Sequence, residues 1–103
     1  MHVISRKALR EFWRKHPQAE MPLRAWYTRA TQGSFGSYAE LKRSFPAVDM
    51  VSLRRGVVTA RLYVFDIAGN KYRLIAAIHF NVQRLFVRHV LTHADYDHGG
   101  WKR

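Results

Sequence analysis

The chain has 103 residues, 48% hydrophobic and 14% aromatic, enough for one compact domain over residues 1–103 and too few for a second core. It contains no Cys, which removes disulfides, zinc ribbons and thiol nucleophiles and suits a cytoplasmic protein, and its apolar runs are too short to span a membrane. Eighteen Lys and Arg against seven Asp and Glu leave +11 at neutral pH, a field that attracts polyanions. Because the basic residues are interleaved with aromatics rather than massed in one block, nucleic acid is the expected partner and a membrane surface is not.

The opening segment "MHVISRKALREFWRK" lacks the apolar core of a signal peptide. Its first residues, His2 to Ile4, are short and β-like. Ser5 is placed to cap a helix through "RKALREFWRK", where Ala8, Leu9, Phe12 and Trp13 share a face, and Pro17 ends it. A second helix is predicted from about Glu20 to Thr31, with Leu23, Trp26, Tyr27 and Ala30 on one side and Gly33 beyond its end. The short link between the two predicts an antiparallel helix hairpin. Ser37 can cap a third, short helix, "YAELKRSF", closed by Pro46.

From Val57 the pattern changes to strands. "VVTARLYVFDI", "KYRLIAAIHF" and "RLFVRHVLTH" are rich in β-branched and aromatic residues and are separated by hairpin-length "AGN" and "NVQ". The expected architecture is α+β, in which the helix hairpin packs on a small, mainly antiparallel four-stranded sheet that the N-terminal strand completes. Alternation in the second strand points Tyr72, Leu74, Ala76, Ile78 and Phe80 toward the helices, and Lys71, Arg73, Ile75, Ala77 and His79 away from them. In the third, Leu85, Val87 and Leu91 alternate with Arg84, Phe86, Arg88 and Thr92. If the register aligns these sets, Lys71, Arg73 and Arg88 gather on the open face, a concentration of charge that calls for an anion.

The ending "THADYDHGG" has the pattern H-x-D-x-D-H-G-G of metallo-β-lactamase-type dinuclear centres. Such a centre needs ligands from several segments and two metals about 3.5–4 Å apart. Here too little chain follows His98, and helices precede a small sheet, so no metal and no other cofactor is expected. The same residues suit acid–base chemistry on RNA, whose 2′-OH is a built-in nucleophile. That reaction needs a base, cations for the charge on phosphorus, and an acid for the leaving 5′-oxygen. Lys71, Arg73 and Arg88 are candidates for the cations, and His93, Tyr96 and Asp97 for proton transfer or its support. Each has a structural alternative: the arginines as partners of Asp66 or Asp95, His93 as a strand-end histidine, Tyr96 as packing, and Asp97 as a cap. His89 reads as a packed strand residue, and Trp13, Trp26 and Tyr27 as core.

Taken in order, "MHVISRKALREFWRKHP", "AELKRSFPAVD", "VFDIAGNKYRLIAAI" and "VRHVLTHADYD" resemble the HigB-type toxins of the RelE/ParE superfamily, over nearly all of residues 1–98. The resemblance implies the toxin of a type II toxin–antitoxin system, an mRNA interferase that cuts messages in the A site of the small ribosomal subunit without a metal. It also implies a HigA-type antitoxin with a helix-turn-helix, and contact with operator DNA only through the toxin–antitoxin complex. The "GNKYR" strand and the "RHVLTHADYD" ending carry the family's recurring elements, and so again mark Lys71, Arg73, Arg88, His93, Tyr96 and Asp97. Arg54, Arg55, Arg61, Arg84 and His79 are then the expected RNA contacts. Two features depart from the pattern: "SLRRGVVTA" is longer and more basic than expected, which extends a hairpin or adds an RNA contact, and the tail after Asp97 is short.

Two other functions fit the same composition. A ParE-like gyrase poison needs the fold and the charge but no convergent Arg, His and Tyr. A non-enzymatic RNA- or ribosome-binding module calls for exposed aromatics on the sheet, for which Phe86 is the one candidate.

Overall fold

A computed structural model describes residues 1–102. The strands are β1 (His2–Ile4), β2 (Asp49–Arg55), β3 (Val58–Ile67), β4 (Tyr72–His79) and β5 (Arg84–Thr92). The helices are α1 (Arg6–Lys15), α2 (Glu20–Gln32), α3 (Tyr38–Ser44) and α4 (His93–His98). The class is α+β, as the pattern predicted, but the sheet is five-stranded and mixed rather than four-stranded. Its order is β1-β5-β4-β3-β2.

β1 lies parallel to β5, with Val3 opposite Leu85, and every other pairing is antiparallel. The extra strand is β2, which pairs with β3 from Asp49↔Val64 to Arg55↔Val58. "SLRRG" is thus the end and turn of a long β2–β3 hairpin, and Gly56 takes a left-handed φ of 61° in that turn.

The helices begin and end for legible reasons. Ser37 caps α3 by accepting from the Glu40 N–H at 3.3 Å. Ser5 sits at the α1 N-cap with extended backbone, yet its side chain makes no capping bond, so that expectation holds for position only. Proline ends α1, its fixed φ and missing N–H converting the chain to a 3-10 turn over Pro17–Ala19.

The helix-covered face of the sheet is the main core. Leu9, Leu23, Trp26 and Ala30 pack on Phe65, Leu74, Ala76 and Leu85. Burying each large side chain of this set is worth about 1.5–3 kcal/mol. The parity read for β4 holds: Tyr72, Leu74 and Ala76 face the helices, with Ile78 and Phe80 packed alongside.

On β5 the alternation breaks. Ile75 stands opposite His89 and Ala76 opposite Val87, which leaves Arg88 as the extra residue of a β-bulge. Beyond it Val90 faces the helices and Leu91 the other side, so Leu91 does not join Leu85 and Val87 as alternation alone predicted. That other side is not bare. Leu62, Val64 and Ile75 form a second small cluster closed by Trp101 from the C-terminal 3-10 turn.

Candidate active site

The ending foreseen as a strand terminus is a helix. Thr92 is its N-cap, accepting from the Asp95 N–H at 3.2 Å, and Gly99 closes it with a left-handed φ of 82°. The cue was present in the sequence as Thr92-x-x-Asp95, a capping pattern. Helical spacing is what makes His93 and Asp97 neighbours, at i and i+4. The His93 N–H also donates to the Lys71 carbonyl at 2.9 Å, which fastens the start of α4 to the start of β4.

Arg73 is the hub of the site. Only 8% exposed, it is the one charged side chain buried among the described residues. It stands directly opposite Asp66 on β3 and pairs with it, Nε to Oδ1 at 3.2 Å. One terminal nitrogen donates to the Tyr72 carbonyl at 3.1 Å. The other donates to the Asn70 side-chain oxygen and, at 3.2 Å, meets His93 Nδ1. Its planar fork thus uses all three nitrogens, which a lysine cannot reproduce.

Guanidinium only donates, so His93 Nδ1 must accept, and the proton of the neutral ring then sits on Nε2. That Nε2–H points to Asp97 Oδ2 at 3.0 Å. The result is an ordered chain, Asp66–Arg73–His93–Asp97, that runs from the sheet to a carboxylate 60% exposed to solvent.

Tyr96 lies over this chain, with the Arg73 guanidinium 5.6 Å from its ring centre. Its other contact is Trp101, stacked at 5.2 Å and 11°, whose indole N–H donates to the Tyr96 carbonyl at 3.0 Å. Burial pushes the Tyr96 phenol above its ordinary range; Asp49, Asp66 and Asp97 add to this while Arg73 opposes it. The phenol therefore keeps its proton at neutral pH and is a donor.

The sequence-predicted residues divide into two groups. Arg73, His93, Tyr96 and Asp97 come together, and Lys71 is exposed beside them at the start of β4. Arg88 shares the face but stands three residues along β5 from Leu91, the residue opposite Arg73, or roughly 10 Å at about 3.3 Å per residue. The expected cluster of Lys71, Arg73 and Arg88 is therefore spread along the sheet, with Arg73 already neutralised by Asp66.

Arg54, Arg55, Arg61, Arg84 and His79 all lie toward the opposite end of the sheet, exposed. Arg54 donates to the Gly56 carbonyl and Arg55 to the Lys102 carbonyl, both at 3.1 Å. His79 meets Phe86 edge-on at 5.4 Å. Among the described residues none of these arginines, nor Arg88, has a carboxylate partner.

Sequence reasoning missed three participants. Asn70, in the β3–β4 turn, holds Arg73. Trp101 roofs the second cluster. His89, taken for a packed strand residue, lines a pocket beside Arg88. No three His, Asp or Glu side chains are grouped as a metal site among the described residues. Nor is any helix there long and apolar enough to cross a membrane.

Residues 19–99 match the sequence model of HigB_toxin, described as the RelE-like toxic component of a toxin-antitoxin system. The chain belongs to the HigB toxin family. The mRNA interferase HigB of Escherichia coli O6:H1 (strain CFT073) is 35% identical over 97 residues, 94% of this chain and 89% of the relative. The mRNA interferase toxin HigB of Escherichia coli K12 is 34% identical, covering 94% of this chain and 88% of its own length. The mRNA interferase HigB of Shigella flexneri is likewise 34% identical with the same coverage. As the toxic component of a toxin–antitoxin system, a member of this family has an antitoxin as its partner.

Proposed function

We propose that the chain is an mRNA interferase, cutting RNA phosphodiesters by attack of the 2′-OH. It acts on messages in the ribosomal A site and is neutralised by a HigA-type antitoxin. The observation that carries this reading is the ordered chain Asp66–Arg73–His93–Asp97 beneath Tyr96, in a protein whose relatives are named mRNA interferases.

Each group has a role its surroundings favour. Asp97, exposed and oriented by the His93 Nε2–H, takes the proton from the 2′-OH. The O2′–P bond forms and the P–O5′ bond breaks. Tyr96, whose phenol is held protonated, gives its proton to the departing 5′-oxygen. The products are a 2′,3′-cyclic phosphate and a 5′-hydroxyl, and solvent returns the protons. Lys71, exposed beside the start of α4, supplies positive charge for the phosphorane-like transition state. Arg73, with its nitrogens committed inside the protein, is a positioning residue: it fixes the tautomer and orientation of His93. All these steps use side chains of the chain itself, so chelation by EDTA is expected to leave cleavage intact.

Induction in a bacterial host, with growth followed and mRNA 5′ ends mapped, tests the reading. The wild type is expected to produce new in-frame cuts in translated messages, and the Arg73→Ala/His93→Ala double variant to lose them. Growth arrest without new ends would overturn the nuclease reading in favour of gyrase poisoning or ribosome binding alone.

A further inference from the structure

Successive strand residues point to opposite faces of a sheet, yet Arg88 and His89 line the same pocket. The bulge at Arg88 is the cause: it inserts one residue opposite Ile75 and Ala76 and turns both side chains to the face away from the helices. The pocket has a volume of about 270 Å³. Its walls are apolar, formed by Leu53, Leu62 and Trp101, and its charge comes from Arg55 and Arg88.

Three physical features define what such a pocket holds. The volume lies just below the range of about 300–1,000 Å³ typical of small-molecule sites, which suits one nucleotide and not a longer stretch. The two guanidinium groups have no carboxylate partner among the described residues, so an incoming phosphate meets uncompensated charge. His89 sits between them in character: burial, then the charge of Arg88, lowers its affinity for a proton, and a neutral ring both donates and accepts. Apolar walls for a base, a neutral ring to read its edge and two cations for its phosphate form a nucleotide site.

The pocket also adjoins the candidate active site. Trp101 forms its wall and stacks on Tyr96, which lies over Arg73. Along the sheet, His89 is two residues from the level of Arg73, roughly 7 Å at about 3.3 Å per residue.

We propose that Arg55, Arg88, His89 and Trp101 form a subsite for the single ribonucleotide flanking the cleaved bond, and that His89 contributes to the choice of base. This rests on the RNA-cleaving reading above. His89 and Trp101 are therefore specificity residues, separate from the groups that move protons.

Two measurements on the full chain decide it. In the first, the four ribonucleoside 3′-monophosphates are titrated into isotope-labelled protein and followed by the Trp101 indole and His89 ring resonances. One base is expected to bind tightest and shift both, and Arg88→Ala to weaken it roughly ten-fold, the loss of one charge-assisted contact. In the second, cut positions in induced cells are compared between wild type and His89→Phe, which keeps a ring and removes both nitrogens. Cleavage by His89→Phe with a broadened base preference next to the cut supports the subsite.

Nucleotides that leave both resonances unmoved, or a His89→Phe pattern identical to wild type, overturn it. If the wild type makes no cuts, the endonuclease reading falls, and the titration alone then decides whether the pocket binds nucleotide.

Discussion

The two ends of the sheet handle charge in opposite ways. At the end where β4 begins, Asp49, Asp66 and Asp97, three of the seven acidic residues in the chain, surround Arg73, His93 and Tyr96. The arginine there is buried and fully bonded. At the other end Arg54, Arg55, Arg61, Arg84 and Arg88 are exposed and without acidic partners among the described residues. A buried, compensated network fixes geometry but has little charge left for a ligand, whereas exposed, uncompensated cations attract a polyanion without orienting it. Under the proposed function, positioning of the chemistry belongs to the first end and capture of the RNA to the second, with Trp101 joining them.

The largest expected effect breaks the first end. Arg73→Ala removes the partner of Asp66 and of His93 together. Loss of one member of a fully buried pair costs about 3–5 kcal/mol, and here about 2–3 kcal/mol is expected because Asp66 retains some exposure to water. Thermal unfolding and growth arrest should both suffer. Asp97→Asn provides the contrast: its side chain is largely in solvent, so the melting temperature should hold while cleavage falls about 10²–10⁴-fold. An Asp97→Asn protein that cuts at the wild-type rate would remove Asp97 from the proton path.

The second end is tested by salt. Each single-strand phosphate contact contributes roughly −0.7 to the slope of log K against log salt. Arg61→Ala and Arg84→Ala should each flatten the slope for RNA binding by about that amount, with little change in cleavage at saturating RNA. A slope unchanged in both variants would mean that RNA does not cross this end of the sheet.

How much of this was legible in advance followed from how local its causes are. The helix boundaries at Pro17, Ser37 and Pro46 and the parity of β4 rest on neighbours within a few residues, and these were read from the sequence. β2 was hidden because "DMVSLRR" carries only Val51 and Leu53 as its inward pair amid charge, so its pairing with β3 decides its structure. The bulge at Arg88 depends on which residues of β4 lie opposite, and no pattern within "RLFVRHVLTH" encodes it. That one inserted residue sends Leu91 to the second face and brings His89 into the pocket. In the candidate site, the residue types Arg73, His93, Tyr96 and Asp97 were visible, but the burial of Arg73 was not, since it depends on Asp66 standing directly across the strand pair.

The smallest effect sharpens the contrast from the side of stability. Burial and Arg88 hold the pKa of His89 below the ordinary histidine value of about 6.5. Between those two values the unfolded chain binds more protons at this position than the folded one, so stability rises with pH. The contribution is fully present above about pH 6.5 and is lost as the pH falls through the folded value. Melting temperatures at pH 5 and pH 7.5 should therefore differ more in wild type than in His89→Phe, which carries no titrating group. The pair at the other end gives the control: His93 has Asp97 beside it and is outside the pocket, so substituting it should leave the His89 component in place. Equal pH dependence in wild type and His89→Phe would show that the ring is as solvated in the folded protein as in the unfolded chain, and the pocket would then lose the neutral histidine on which its base selectivity depends.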